Sequence, residues 1–135
     1  MFGLPFSVLL PTTTILARTM EITIYHNPGC SKSRKTLELI QNAGFKPTVV
    51  EYLVNPPDAA RLTEILTMLS LEAIDLARTQ ESVFAELQLG EKSLSEGEIV
   101  DAMVQNPILI ERPIVVADGK AVIGRPPEKV LELLG

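Results

Sequence analysis

Apolar and polar positions along the chain follow two rhythms. Glu21-Ile22-Thr23-Ile24-Tyr25 alternates β-forming residues with a period of two and predicts a short strand. Thr36-Leu37-Glu38-Leu39-Ile40-Gln41-Asn42-Ala43 predicts a helix, halted by Gly44. Pro47-Thr48-Val49-Val50-Glu51-Tyr52-Leu53 is a second strand, rich in β-branched residues. A strand–helix–strand unit of this length implies parallel strands joined by a right-handed crossover.

A helical block follows. Asn55-Pro56-Pro57-Asp58 breaks the chain, and Asp58 can cap a helix in which Leu62, Ile65, Leu66 and Leu69 form one apolar stripe. Ser70 is expected to cap a short segment through Leu71, Ile74 and Leu76 that reaches Arg78, and another surrounds Val83, Phe84 and Leu87. Ser95-Glu96-Gly97-Glu98 is a capping box, with Ile99, Ala102 and Met103 as the buried face behind it and Pro107 as the stop. Arg112-Pro113-Ile114-Val115-Val116-Ala117 is then a strand, and Asp118-Gly119 turns it into its antiparallel partner, Lys120-Ala121-Val122-Ile123-Gly124. Arg125-Pro126-Pro127 ends that strand, and Val130, Leu133 and Leu134 mark a final helix. The order is βαβ, helical insertion, ββα: a thioredoxin-like α/β fold with a mixed four-stranded sheet and an insertion over about residues 58–106.

Size and charge narrow the function. The chain of 135 residues is expected to hold one domain over 20–135. Residues 1–19 form an apolar, proline-interrupted extension that lacks the basic start of a signal peptide and the length of a membrane span. They are expected to be disordered, or to precede a natural start at Met20. A net charge of −5 argues against nucleic acid or an anionic membrane as partner, so any bound anion needs a local basic cluster. One cysteine and one histidine supply too few soft ligands for a familiar metal site, and a lone cysteine suits the reducing cytoplasm.

That cysteine and that histidine stand four positions apart, in Tyr25-His26-Asn27-Pro28-Gly29-Cys30-Ser31-Lys32-Ser33-Arg34. Cys30 falls where a strand turns into a helix N-terminus, whose unpaired N–H groups and dipole favour an anion such as a thiolate. An inert buried thiol is the competing reading, but the flanks here are polar and basic. His26 could be structural or could raise the potential at Cys30. Ser33 can hydrogen-bond to sulfur, while Ser31 is expected to cap the helix. Arg78, Arg112 and Arg125, taken singly, read as surface charges; together they could form an oxyanion pocket. Pro113 opens its strand as either isomer, and the chain order favours cis.

The loop around Cys30 closely resembles the active-site loop of the glutaredoxin-coupled arsenate reductase family. Further segments agree in order: Glu51-Tyr52-Leu53 with Asn55-Pro56-Pro57, then Asn106 through Val116, then Gly124-Arg125-Pro126-Pro127-Glu128. The resemblance implies that Cys30 attacks arsenate, that His26 favours the thiolate, and that Arg78, Arg112 and Arg125 hold the oxyanion, with Ser33 and Pro113 in support. It also implies glutathione as co-substrate and glutaredoxin as partner, with no bound cofactor, in a cytoplasmic monomer. Low-molecular-weight phosphatase-like reductases would need a C-x5-R loop and internal cysteines. Two alternatives stand: a glutathione-dependent thiol oxidoreductase acting on another substrate, and a regulator resembling Spx. The second is weakened because Spx-type switches generally use C-x-x-C, and here the fourth position is Ser33.

Overall fold

The alternation in the first strand sorts the core in two. In the computed structural model, which describes residues 20–91 and 93–135, strand β1 (Ile22–His26) runs through the middle of the sheet. Ile22 and Ile24 face one core with Ile40, Val115 and Val130, and Tyr25 faces the other with Tyr52, Leu62, Ile65 and Ile114. Helix α1 (Ser31–Asn42) closes the first side, followed by β2 (Thr48–Glu51). The second side is covered by α2 (Ala59–Leu69), α3 (Ala73–Leu76), α4 (Ser82–Glu86) and α5 (Glu96–Gln105). A 3-10 turn (Pro107–Leu109) leads to the hairpin β3 (Ile114–Ala117) and β4 (Lys120–Ile123), and a second one (Pro127–Val130) runs into α6 (Leu131–Leu134). The expectation for residues 1–19 lies outside the described residues.

The sheet has the order β2-β1-β3-β4, parallel between β1 and β2 and antiparallel elsewhere, as the βαβ–ββα reading requires. Strand β3 is buried along its whole length: Ile114 and Val116 meet the helical block, while Val115 and Ala117 meet α1. The hairpin turn has both central residues at positive φ, 52° at Asp118 and 74° at Gly119, matching the twist of the two strands. The Ser95–Glu98 capping box forms, and Asp58 accepts from Arg61 N–H at 2.8 Å.

Two local expectations are corrected. Helix α1 begins at Ser31, five residues ahead of the apolar pattern, with Cys30 and not Ser31 as its N-cap. Its buried stripe is Ser33, Thr36 and Ile40, and two of these three are polar, so hydrophobic periodicity does not register the first turn. Ser70 does not open α3; it closes α2 in a left-handed conformation (φ 58°), and Glu72 is the N-cap of α3. Ser70 N–H bonds Thr67 O and Leu71 N–H bonds Leu66 O, so the serine takes the place usually given to glycine at a helix end.

The Arg112–Pro113 peptide bond is cis, as the chain order favoured, and so is Arg125–Pro126, for which the sequence carried no expectation of isomer. Gly124 lies between them and donates its N–H to Pro113 O at 2.9 Å. A methyl group there would collide with the Thr36 hydroxyl and come within 2.8 Å of the Pro113 ring. Gly124→Ala is therefore expected to cost about 1–3 kcal/mol by overpacking α1 against the hairpin. A thermal melt checks it; an unchanged midpoint would contradict the tight fit.

Candidate active site

Strand register assembles the site. Tyr25 lies opposite Ile114 in the antiparallel β1–β3 pair, so the chain leaving β1 toward Cys30 emerges where Arg112-Pro113 enters β3. Ile123 lies opposite Ile114, which returns Arg125 to the same edge. Glu51 lies beside His26, which brings Tyr52 there. The helical block joins through an isolated bridge, Ala77 with Ile110, so that Arg78 arrives next to Glu111. The bridge is held by Arg78 N–H to Leu109 O (2.7 Å) and Glu111 N–H to Leu76 O (3.1 Å).

Cys30 sits half-buried at the open end of α1. Burial alone would push its thiol up, but the Ser33 N–H, the Arg112 side chain and the Lys32 N–H outweigh it, and the pKa falls below its ordinary value. Its sulfur makes no capping hydrogen bond of ordinary geometry, so these groups act as a converging positive field. Arg112 completes that field, yet its Nε and Nη1 are buried without a hydrogen-bond partner. Buried guanidinium donors are costly to leave unpaired. Beside the Cys30 thiol, they have the charge and geometry to donate to oxygens of a small anion.

His26 is placed differently from a cation beside the thiol. It is buried, and its Nδ1 is 2.6 Å from Ser33 Oγ, which also accepts from Asn27 N–H at 3.0 Å. Burial lowers the His26 pKa against a raising effect of Glu51, and Arg34 lowers it further. The imidazole is thus neutral near pH 7, with Nδ1 suited to accept the Ser33 hydroxyl proton, and it is not among the main groups that shift Cys30. Ser33 correspondingly ties His26 to the first turn of α1; its backbone, not its hydroxyl, faces the sulfur's charge.

Residues 25–133 match the profile of the ArsC family. The chain belongs to the ArsC family. It is 54% identical over 118 residues to the uncharacterised protein YfgD of Escherichia coli (strain K12), covering 87% of this chain and 99% of that one. It is 50% identical to an arsenate reductase of Rhizobium meliloti (strain 1021), over 85% of this chain and 82% of the relative. An arsenate reductase structure from Vibrio cholerae superposes with a TM-score of 0.83 at 47% identity, covering 86% of this chain and 99% of that one. The fold is the thioredoxin-like α/β fold of the ArsC family.

In this ArsC family member the three expected arginines gather at one edge but are not equivalent. Arg78 gives Nε to Glu81 at 3.1 Å and Nη1 to Glu111 at 2.8 Å. Arg125 donates Nη1 to Arg112 O at 3.1 Å, with its Nε 3.8 Å from Glu111. Only Arg112 of the three keeps buried donors unpaired. Two neighbours were passed over as site residues, Glu111 and Tyr52. Tyr52 is buried, which pushes its pKa up to about 12, and it also feels Arg112, Arg78, Cys30 and Glu111. Both lie inside segments that carried the family resemblance, and that was their only signal in the sequence. A separate cleft of about 480 Å³ is lined by Arg61, Thr63, Glu64, Thr67, Met68 and Gly119, without a thiol. Arg61 there is engaged with Tyr25 Oη and Glu64. Among the described residues no group of three or more His, Cys, Asp or Glu could hold a metal ion, and no helix is long and apolar enough to cross a membrane.

The field around Cys30 sets a pH dependence. A depressed pKa means more thiolate at any pH below the ordinary cysteine range, so iodoacetamide alkylation should reach half its limiting rate at lower pH than for an unstructured cysteine peptide. Arg112→Ala removes one lowering group and is expected to move that midpoint up. An unmoved midpoint would mean that Arg112 does not act on the sulfur.

Proposed function

We propose that this chain reduces arsenate to arsenite, with Cys30 as nucleophile and Arg112 as the principal oxyanion ligand. The observation that carries the reading is the pair of unpaired, buried Arg112 donors beside a low-pKa thiol at a helix N-terminus. Two of the relatives above are named arsenate reductases, which supports arsenate as the oxyanion. Arg78 and Arg125 would complete the charge around the anion. His26, neutral and bonded to Ser33, would act by fixing the first turn of α1 and not as a cation. Pro113 would aim the Arg112 backbone into the site.

The steps balance without a bound cofactor. The Cys30 thiolate attacks arsenic, and a protonated arsenate oxygen leaves as water. With a single cysteine, the chain has no internal thiol to finish the reduction. Glutathione replaces a second oxygen, again releasing water. A glutaredoxin thiolate then attacks the glutathione sulfur; two electrons pass to arsenic, giving As(III) on Cys30 and a mixed disulfide on the glutaredoxin. Hydrolysis frees arsenite and the thiol. The same reading makes the protein a monomer of the reducing cytoplasm.

Purified protein with arsenate, glutathione and glutaredoxin is expected to form arsenite, and Cys30→Ser to form none. Arg112→Ala should lower kcat/KM by about 10²–10³-fold, the usual effect of losing an oxyanion donor, while Arg61→Ala stays within about threefold. Equal losses for the two arginines would undo the pocket assignment. A reactive Cys30 without arsenite formation would instead point to a thiol oxidoreductase with another substrate.

A further inference from the structure

Glu111 is the hub of the arginine cluster, although its side chain has no donor to offer an oxyanion. A single oxygen, Oε1, takes Arg78 Nη1 at 2.8 Å and the Arg112 N–H at 3.2 Å, and lies 3.8 Å from Arg125 Nε. It therefore touches all three residues expected to bind the anion, twice through guanidinium groups and once through the backbone. Its own backbone is fixed by the Ala77–Ile110 bridge, whose two flanking hydrogen bonds run from Glu111 to Leu76 and from Arg78 to Leu109. Carboxylate and arginine are thus set against each other before their side chains meet. Like charges gathered in a partly buried site repel, and among the described residues no other carboxylate pairs with both Arg78 and Arg125: Glu81 pairs only with Arg78.

We propose that Glu111 is the positioning residue of the oxyanion site, its carboxylate being the resident counter-charge that keeps Arg78 and Arg125 gathered beside Arg112 before the anion arrives. This rests on the reading of Cys30 and Arg112 as the oxyanion site. Glu111 acts through the arginines and not on the anion. Removing its charge therefore weakens anion binding, the reverse of what simple relief of electrostatic repulsion between a carboxylate and an oxyanion would produce. The chemical step, which depends on Cys30 and Arg112, is largely spared.

The test compares wild type, Glu111→Gln and Glu111→Asp in the full chain. Arsenate protection of Cys30 from iodoacetamide reads binding without turnover, and steady-state arsenite formation reads KM and kcat. Glu111→Gln keeps the shape and loses the charge; the protection constant and KM for arsenate should both rise roughly tenfold, with kcat within about threefold. Glu111→Asp keeps the charge and should stay closer to wild type, and it is decisive if the Gln variant does not fold. Unchanged or tighter arsenate binding in Glu111→Gln, with wild type well protected, overturns this proposal alone. A folded Glu111→Asp as impaired as Gln or more overturns the counter-charge role. A wild type that arsenate neither protects nor turns into a source of arsenite overturns the oxyanion reading and the role of Glu111 with it.

Discussion

The antiparallel pairing of β1 with β3, Tyr25 opposite Ile114, is the constraint on which the site depends. It places the end of one strand beside the beginning of the other, so a loop carrying a thiol and a loop carrying an arginine share one sheet edge. A shift of one residue would turn Ile22 and Ile24 out of their core, and burial of both faces of β3 resists it. The hydrophobic core thereby holds the distance between Cys30 and Arg112, which neither loop could hold alone.

The electrostatics follow from that placement. An acidic chain of net charge −5 concentrates Arg78, Arg112 and Arg125 at a helix N-terminus, then sets Glu81 and Glu111 against them. The two carboxylates offset most of the arginine charge, which keeps like charges together, while Arg112 retains unmatched donors. The division matters chemically. Positive neighbours favour the thiolate form of Cys30, and the donors left over on Arg112 are what the proposed attack on an oxyanion requires.

Much of the fold was legible in the sequence because its signals are local. The period-two runs of β1 and β3, the Asp118-Gly119 turn and the Ser95–Glu98 capping box each declare an element within a few residues. The first turn of α1 was not legible by periodicity, since Ser33 and Thr36 are buried as polar residues that pack against the strand loop and Gly124. Ser70 misled for a related reason: the same residue type caps a helix start or accepts a left-handed end, and the surrounding chain decides which.

The chemistry divides along the same line. By itself the sequence singled out Cys30 and its helix-terminal setting, because both follow from residue type and near neighbours, while the three arginines were marked as a group by the family resemblance. Only the tertiary structure decided which arginine keeps free donors, that His26 is buried and bound to Ser33, and that Glu111 joins Arg78 to Arg125. Those are matters of which charges face each other across 33 residues from Arg78 to Glu111. Strand register and the Ala77–Ile110 bridge settle them, and no local pattern encodes either one.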